Sequence, residues 1–271
     1  MSQITVDQAA PASIGRRGLR GRLAAQEALV GTFIKTSSHQ TVEILGGCGL
    51  DFAVIDAEHA PFGRESMDLC CMAARSVGLP ALVRTASAAE QGILQALDLG
   101  AAGVLVPHVD SAASAAAVVS ASRYRQADGT RGYSNSPRAG GYGRAAMQAH
   151  IDASDQAIAV LVQVESAAAV DAVEQIAGVA GVDALFIGRA DLAVSYQVDD
   201  LLHPRVQAAV ERICRAGRDK GVAVGIFLPD ATEVGAFRAL GVSLFLIGSD
   251  QGFLRQMAAK IVQDSKLASQ L

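Results

Sequence analysis

Short apolar runs alternate with longer, Ala-rich stretches of helical period along most of the chain. The runs fall at 30–34, 52–55, 81–83, 103–106, 158–164, 184–187, 223–227 and 244–247. Each is continuously apolar instead of alternating, as a strand must be when both of its faces are covered. Stretches of helical period lie between them at 64–77, 88–97, 111–122, 167–176, 204–219, 231–240 and 252–264. Strand–helix units of roughly 30 residues, repeated to the end of the chain, predict a single-domain α/β fold, the (β/α)8 TIM barrel of ~250 residues. An open doubly wound sheet is the competing arrangement. It usually carries a Gly-rich phosphate turn after its first strand, whereas Ile34 leads into Lys35-Thr36-Ser37-Ser38. Gly46-Gly47-Cys48-Gly49 precedes a strand, the wrong side for a dinucleotide cradle, and reads as a helix stop. Residues 1–17 read as a flexible tail and 18–271 as the barrel domain, with 19–27 a short helix closing its bottom. The long irregular stretch 123–143, rich in Gly, Ser, Tyr and Arg, reads as a lid or an interface element.

Composition narrows the class. With 51% hydrophobic and 18% charged residues, the chain has material for a large core and is not a disordered protein. A net charge of −4 and a pI near 5.7 supply no basic field, so nucleic acid and anionic membrane are not expected as partners. No run of 18 apolar residues suggests a membrane span, and residues 1–14 lack the order of a secretory signal. Cys48, Cys70, Cys71 and Cys214 have no zinc-ligand spacing and read as reduced thiols, which points to the cytoplasm.

In a barrel of this kind chemistry gathers just beyond the C-terminal ends of the strands. The polar groups there are Asp56-Ala57-Glu58-His59, Arg84, Pro107-His108, Gln163 with Glu165, and Gly188-Arg189-Ala190-Asp191. Gln163 and Glu165 are two apart, so both point to one side. With Val162 and Val164 facing the helices, that side is the barrel interior. Buried carboxylates are rare unless paired or bound to metal. Glu165 and Asp191 together offer oxygen ligands suited to Mg2+ or Mn2+, with Co2+ as a further candidate. The competing structural role for Glu165 is an ion pair with Arg84. His59 stands in the same row as these groups, which favours a functional role. His108 is open between the two, and His39, His150 and His203 are expected to be solvated. Asp98, late in a helix, would not be chosen on spacing alone. Only Lys35 of the scarce lysines ends a strand, which argues against imine chemistry.

These segments, taken in order with 97–101 (Leu97-Asp98-Leu99-Gly100-Ala101) and 186–192 (Phe186-Ile187-Gly188-Arg189-Ala190-Asp191-Leu192), resemble the HpcH/HpaI aldolase family over residues 19 to 265. Its members are class II pyruvate aldolases that cleave 4-hydroxy-2-oxo acids. The resemblance implies that Glu165 and Asp191 bind a divalent metal on which the 2-oxo acid chelates, with Gln163 holding a water or a substrate oxygen. It implies that Arg84 binds the keto oxygen and stabilises the enolate, and that His59, oriented by Asp98, acts as the base. Main-chain N–H groups of Ala190 and Asp191 would hold the substrate carboxylate. It further implies a homo-oligomer, a hexamer built as a trimer of dimers, in which the helix at 252–264 is exchanged between subunits. Ala57 and Arg189 stand where many members have Gly and Pro. Arg189 is expected either to add positive charge beside the carboxylate pocket or to point to solvent. The rival activities are a citrate-lyase-β-like or malyl-CoA-lyase-like cleavage and oxaloacetate decarboxylation. A non-catalytic binding protein is the rival from another class.

Overall fold

The apolar runs do become strands, and the strands close on themselves. The computed structural model describes residues 18–268, so the tail expected at 1–17 lies outside the described residues. Among those described, eight parallel strands form a closed barrel in sequence order, with the last pairing back to the first. They are β1 Leu29–Ile34, β2 Phe52–Asp56, β3 Ala81–Arg84, β4 Gly103–Val106, β5 Ala159–Val164, β6 Ala184–Ile187, β7 Ala223–Leu228 and β8 Leu244–Ser249. The predicted (β/α)8 barrel is therefore the fold.

Successive residues of each strand feed two separate cores. On β2, Ala53 and Ile55 face outward to the helices, while Phe52 and Val54 fill the barrel with Leu82, Leu105, Leu161 and Leu246. Gly31 makes room for this filling, because a Cβ there would sit 2.6 Å from the Phe52 ring. The helix Leu19–Ala24 caps the bottom as expected, placing Leu19 and Leu23 in the inner cluster. It stops short of residue 27, since Gln26 takes a φ of +50°.

Three helical expectations change in detail. The stretch 167–176 divides into Ala167–Asp171 and Val173–Ala177, with a break at Ala172 that turns Val173 and Ile176 into the core. The helix after β7 begins only at Val234, after Thr232 has donated N–H and Oγ1 bonds to Asp230 Oδ1. Such a side-chain turn competes with helix hydrogen bonding. The terminal helix is longer than expected, Asp250–Ala268.

The irregular stretch is held down by ion pairs: Arg131 donates to Asp98 at 3.1 Å, and Arg138 grips Asp68 through two nitrogens. His150, expected to be solvated, is 5% exposed instead. Its Nε2 lies 3.1 Å from Tyr124 Oη, and its ring packs edge-on to Tyr124 and Tyr133. No helix among the described residues is long and apolar enough to cross a membrane.

Candidate active site

The strand register decides which polar side chains meet. Asp56 and Arg84 end adjacent strands and are paired in register. Arg84 donates Nε and Nη2 to the two oxygens of Asp56, at 3.0 and 2.8 Å, and Nη1 lies 3.2 Å from Glu58 Oε2. Its guanidinium carbon sits 4.5 Å over the Phe33 ring. Asp56 also takes Lys35 Nζ at 2.9 Å and the main-chain N–H groups of Glu58 and His59. Burial pushes the Asp56 carboxyl up, but the Arg84 hydrogen bonds and charge, with help from Lys35, outweigh this and bring it down to about 2. Glu58 moves the other way: burial carries its carboxyl above the ordinary range against the pull of Arg84, and the charge of Glu165 adds to the rise.

Glu165 is 4% exposed and does not pair with Arg84, so the structural ion pair considered for it is absent. Its Oε1 accepts the main-chain N–H of His108 at 2.8 Å and lies 3.1 Å from that ring's Nδ1. Its Oε2 accepts Gln163 Nε2. His108 takes a φ of +57° to present its N–H in this direction, and its Nε2 is 3.4 Å from Glu58 Oε1. This histidine, left open from sequence, therefore bridges two acidic groups.

Gly188 is the cradle on which the carboxylates meet. A Cβ built there would lie 2.9 Å from Glu165 Oε2 and 3.8 Å from Asp191 Oδ2, so both oxygens flank one point. Asp191 has no hydrogen-bond or ion-pair partner among the described residues. Gln163 Oε1 is buried and also without a partner. Two converging carboxylates and an orphaned amide oxygen form a hard donor set that fits Mg2+ or Mn2+ better than a thiophilic metal. No cluster of three or more His, Cys, Asp and Glu side chains is grouped for a metal among the described residues.

One cavity of about 370 Å3 opens above this point and gathers Lys35, His59, Arg84, Gln163, Ala190 and Asp191 in its wall. Ala190 and Asp191 open the helix Arg189–Ser195, and both are exposed to it. The His59 side chain is 58% exposed, with Nε2 3.6 Å from Glu58 Oε2.

Asp98 is not brought to His59 within the chain. The helix Glu90–Asp98 returns to the bottom of the barrel, where Ala102 N–H bonds to Ala81 at the start of β3. A helix running antiparallel to its strand delivers its last residue to the wrong end, and Asp98 is spent on Arg131 there. Arg189 does not point to solvent; it lines the same cavity beside Ala190 and Asp191, with its charge already paired. It is 6% exposed and clamped by both oxygens of Glu233. Sequence reasoning assigned nothing to Glu58, Lys35 or Glu233. Glu58 left a signal, being two residues after Asp56 and next to His59, and so did Lys35, which ends a strand.

The sequence matches the family described as HpcH/HpaI aldolase/citrate lyase over residues 29–256, a span that contains every residue of the cavity wall. The chain belongs to that family. Among HpcH/HpaI relatives it is 33% identical over 252 residues to a hydroxypyruvate/pyruvate aldolase of Paraburkholderia phytofirmans, covering 91% of this chain and 96% of that one. It is 32% identical over 248 residues to a 5-keto-4-deoxy-D-glucarate aldolase of Klebsiella pneumoniae, with the same two coverages, 91% and 96%. The crystal structure of an HpcH/HpaI aldolase/citrate lyase family protein from Burkholderia cenocepacia superposes with a TM-score of 0.87 at 34% identity, covering 92% and 98% of the two chains. The HpcH/HpaI relatives named here as aldolases are carbon–carbon lyases, and this member of the family is an enzyme of that class.

Proposed function

We propose that the protein is a divalent-metal-dependent aldolase that cleaves or forms the C3–C4 bond of a 4-hydroxy-2-oxo acid, to or from pyruvate and an aldehyde. The observation that carries this reading is the approach of Glu165 and Asp191 to Gly188, beside an unpartnered Gln163 oxygen, with Gly188, Asp191, Gln163, Arg84 and His59 all lining one cavity. A divalent cation held by Glu165 and Asp191 supplies positive charge to the oxygen that becomes an enolate, and stabilising that charge is what lowers the barrier most in such a reaction.

The chain's own groups do the rest. Arg84 is fixed by Asp56 and Glu58, yet a guanidinium has five N–H donors, so it retains donors for the keto oxygen. His59 takes the proton of the 4-hydroxyl. The C3–C4 electron pair then moves toward the keto group as the aldehyde leaves. Protonation at C3 yields pyruvate. Gln163 Oε1 accepts from a water or a substrate hydroxyl, and the N–H groups of Ala190 and Asp191 receive the carboxylate.

We further read the enzyme as a homo-oligomer, the hexamer its resemblance implies. The helix Asp250–Ala268 supports this, since Leu254, Met257, Ile261 and Val262 are exposed along it. Exchange of this helix between subunits would bury those side chains. Asp98 can orient His59 only from a second copy, because its own barrel holds it at the opposite end. Four unpaired thiols favour the cytoplasm.

Incubation with Mn2+, pyruvate and a panel of aldehydes tests the activity. Aldol products should form, and both chelation and Glu165→Ala should abolish them. Product formation that survives chelation, or that persists in Glu165→Ala, refutes the metal route.

A further inference from the structure

We propose that Arg189 is a positioning residue for Asp191: its ion pair with Glu233 fixes the turn that aims the Asp191 carboxylate, and so sets the affinity of the site for a divalent cation. The inference rests on the reading of Asp191 as a metal ligand.

Asp191 sits between two anchors. On one side Arg189 donates Nη1 and Nη2 to the two oxygens of Glu233, at 2.9 and 2.8 Å. Such a two-pronged pair fixes orientation as well as distance. The guanidinium also stacks 4.8 Å over the Phe237 ring, and Phe237 is buried. Glu233 immediately precedes the helix Val234–Ala239, so the pair ties the exit of β6 to the exit of β7. On the other side Ser195 Oγ accepts the Ala167 N–H at 2.9 Å, tying the far end of the Arg189–Ser195 helix to the exit of β5. Between these anchors the Asp191 carboxylate has no partner of its own among the described residues. A side chain without partners is aimed by its main chain, and the main chain here is held by Arg189.

Charge alone argues in the opposite direction. A guanidinium beside a cation site repels the cation, so Arg189 weakens the site electrostatically while it orders it geometrically. The two effects differ in sign, and a titration separates them. Mn2+ binding to the full-length protein is measured by calorimetry for wild type, Arg189→Met, Glu233→Gln and the double variant, with thermal unfolding of each alongside.

Positioning by the pair predicts that Arg189→Met loses affinity on the order of ten- to a hundred-fold, the usual effect of removing a group that orients a ligand. The double variant, whose net charge change is zero, should lose about as much and no more. Charge alone predicts tighter binding for Arg189→Met and no change in the double variant, and either result overturns the proposal. Losses that multiply in the double variant also overturn it, since the two residues then act separately. If Arg189→Met does not fold, the double variant carries the test, because it leaves no buried charge unpaired. A wild-type protein that binds no Mn2+ overturns the proposed function and this inference with it. Wild-type binding matched by the variants overturns the inference alone.

Discussion

Gly188→Ala should disable the proposed metal site while leaving the barrel intact. The backbone is no obstacle: Gly188 has φ −98° and ψ 80°, outside the positive-φ region that only glycine enters easily. The obstacle is Glu165, whose Cβ would lie 2.8 Å and Oε2 2.9 Å from the added methyl. Carbon atoms in contact prefer about 3.5–4.0 Å, so the glutamate must rotate or the β6 turn must retreat. Rotation takes Oε1 off the His108 N–H, now at 2.8 Å, and Oε2 off Gln163. Overpacking of this kind costs about 1–3 kcal/mol, a loss of roughly 2–4 °C in melting temperature for each kcal/mol in a chain of this size. Either response separates Glu165 from Asp191, and affinity for Mn2+ should fall at least about ten-fold. Calorimetric titration with Mn2+ and a thermal melt measure both effects. Gly235→Ala is the control, since a Cβ there meets nothing within 4 Å and a helical alanine is favoured by about 1 kcal/mol. Unchanged affinity and melting temperature in Gly188→Ala would refute the cradle, because the two carboxylates would then not depend on the space above that glycine.

Two further outcomes are expected. The Asp56 carboxyl is depressed from 3.8 to about 2 in the fold, so its contribution is full above pH 3.8 and lost as pH falls through about 2. That window holds on the order of 2 kcal/mol, measurable by urea unfolding at stepped pH, and Asp56→Asn should lack that part of the acid slope. His59→Ala and Asp98→Ala should each be inactive alone, yet regain aldol activity when co-refolded into mixed oligomers; no recovery would exclude Asp98 from a neighbouring subunit's site.

The strands were legible because each is apolar on both faces, a requirement that leaves little else for runs such as Val160–Leu161–Val162 to do. Gln163 and Glu165 were legible for the same reason: period two fixed their side once the flanking valines were assigned. The Arg84 partner was not, because two carboxylates at strand ends competed and only the register of β2 on β3 chooses Asp56. Arg189 and Glu233 are 44 residues apart on separate barrel units, and no local pattern links them. His150 misled because a histidine in a polar-looking helix gives no sign of the two tyrosines that cover it. The placement of Asp98 follows from topology, since a helix in this fold runs back down the barrel, and a motif carries no statement of which end its residue reaches.

The balance of charge around the cavity supports the proposed cation. Lys35, Arg84 and Arg189 face Asp56, Glu58, Glu165, Asp191 and Glu233, so the carboxylates outnumber the cationic side chains. Each of those cations is already bonded to a carboxylate: Lys35 and Arg84 to Asp56, Arg84 also to Glu58, and Arg189 to Glu233. What is left over is the pair Glu165 and Asp191, one holding only a neutral amide and a histidine, the other holding nothing. Two like charges drawn together on one glycine repel each other unless something positive lies between them. The rise of the Glu58 carboxyl, to which the Glu165 charge contributes, is the same surplus felt one residue further away. A single divalent ion held by Glu165 and Asp191 would match that excess in sign and size, and would supply its charge beside the proposed enolate oxygen.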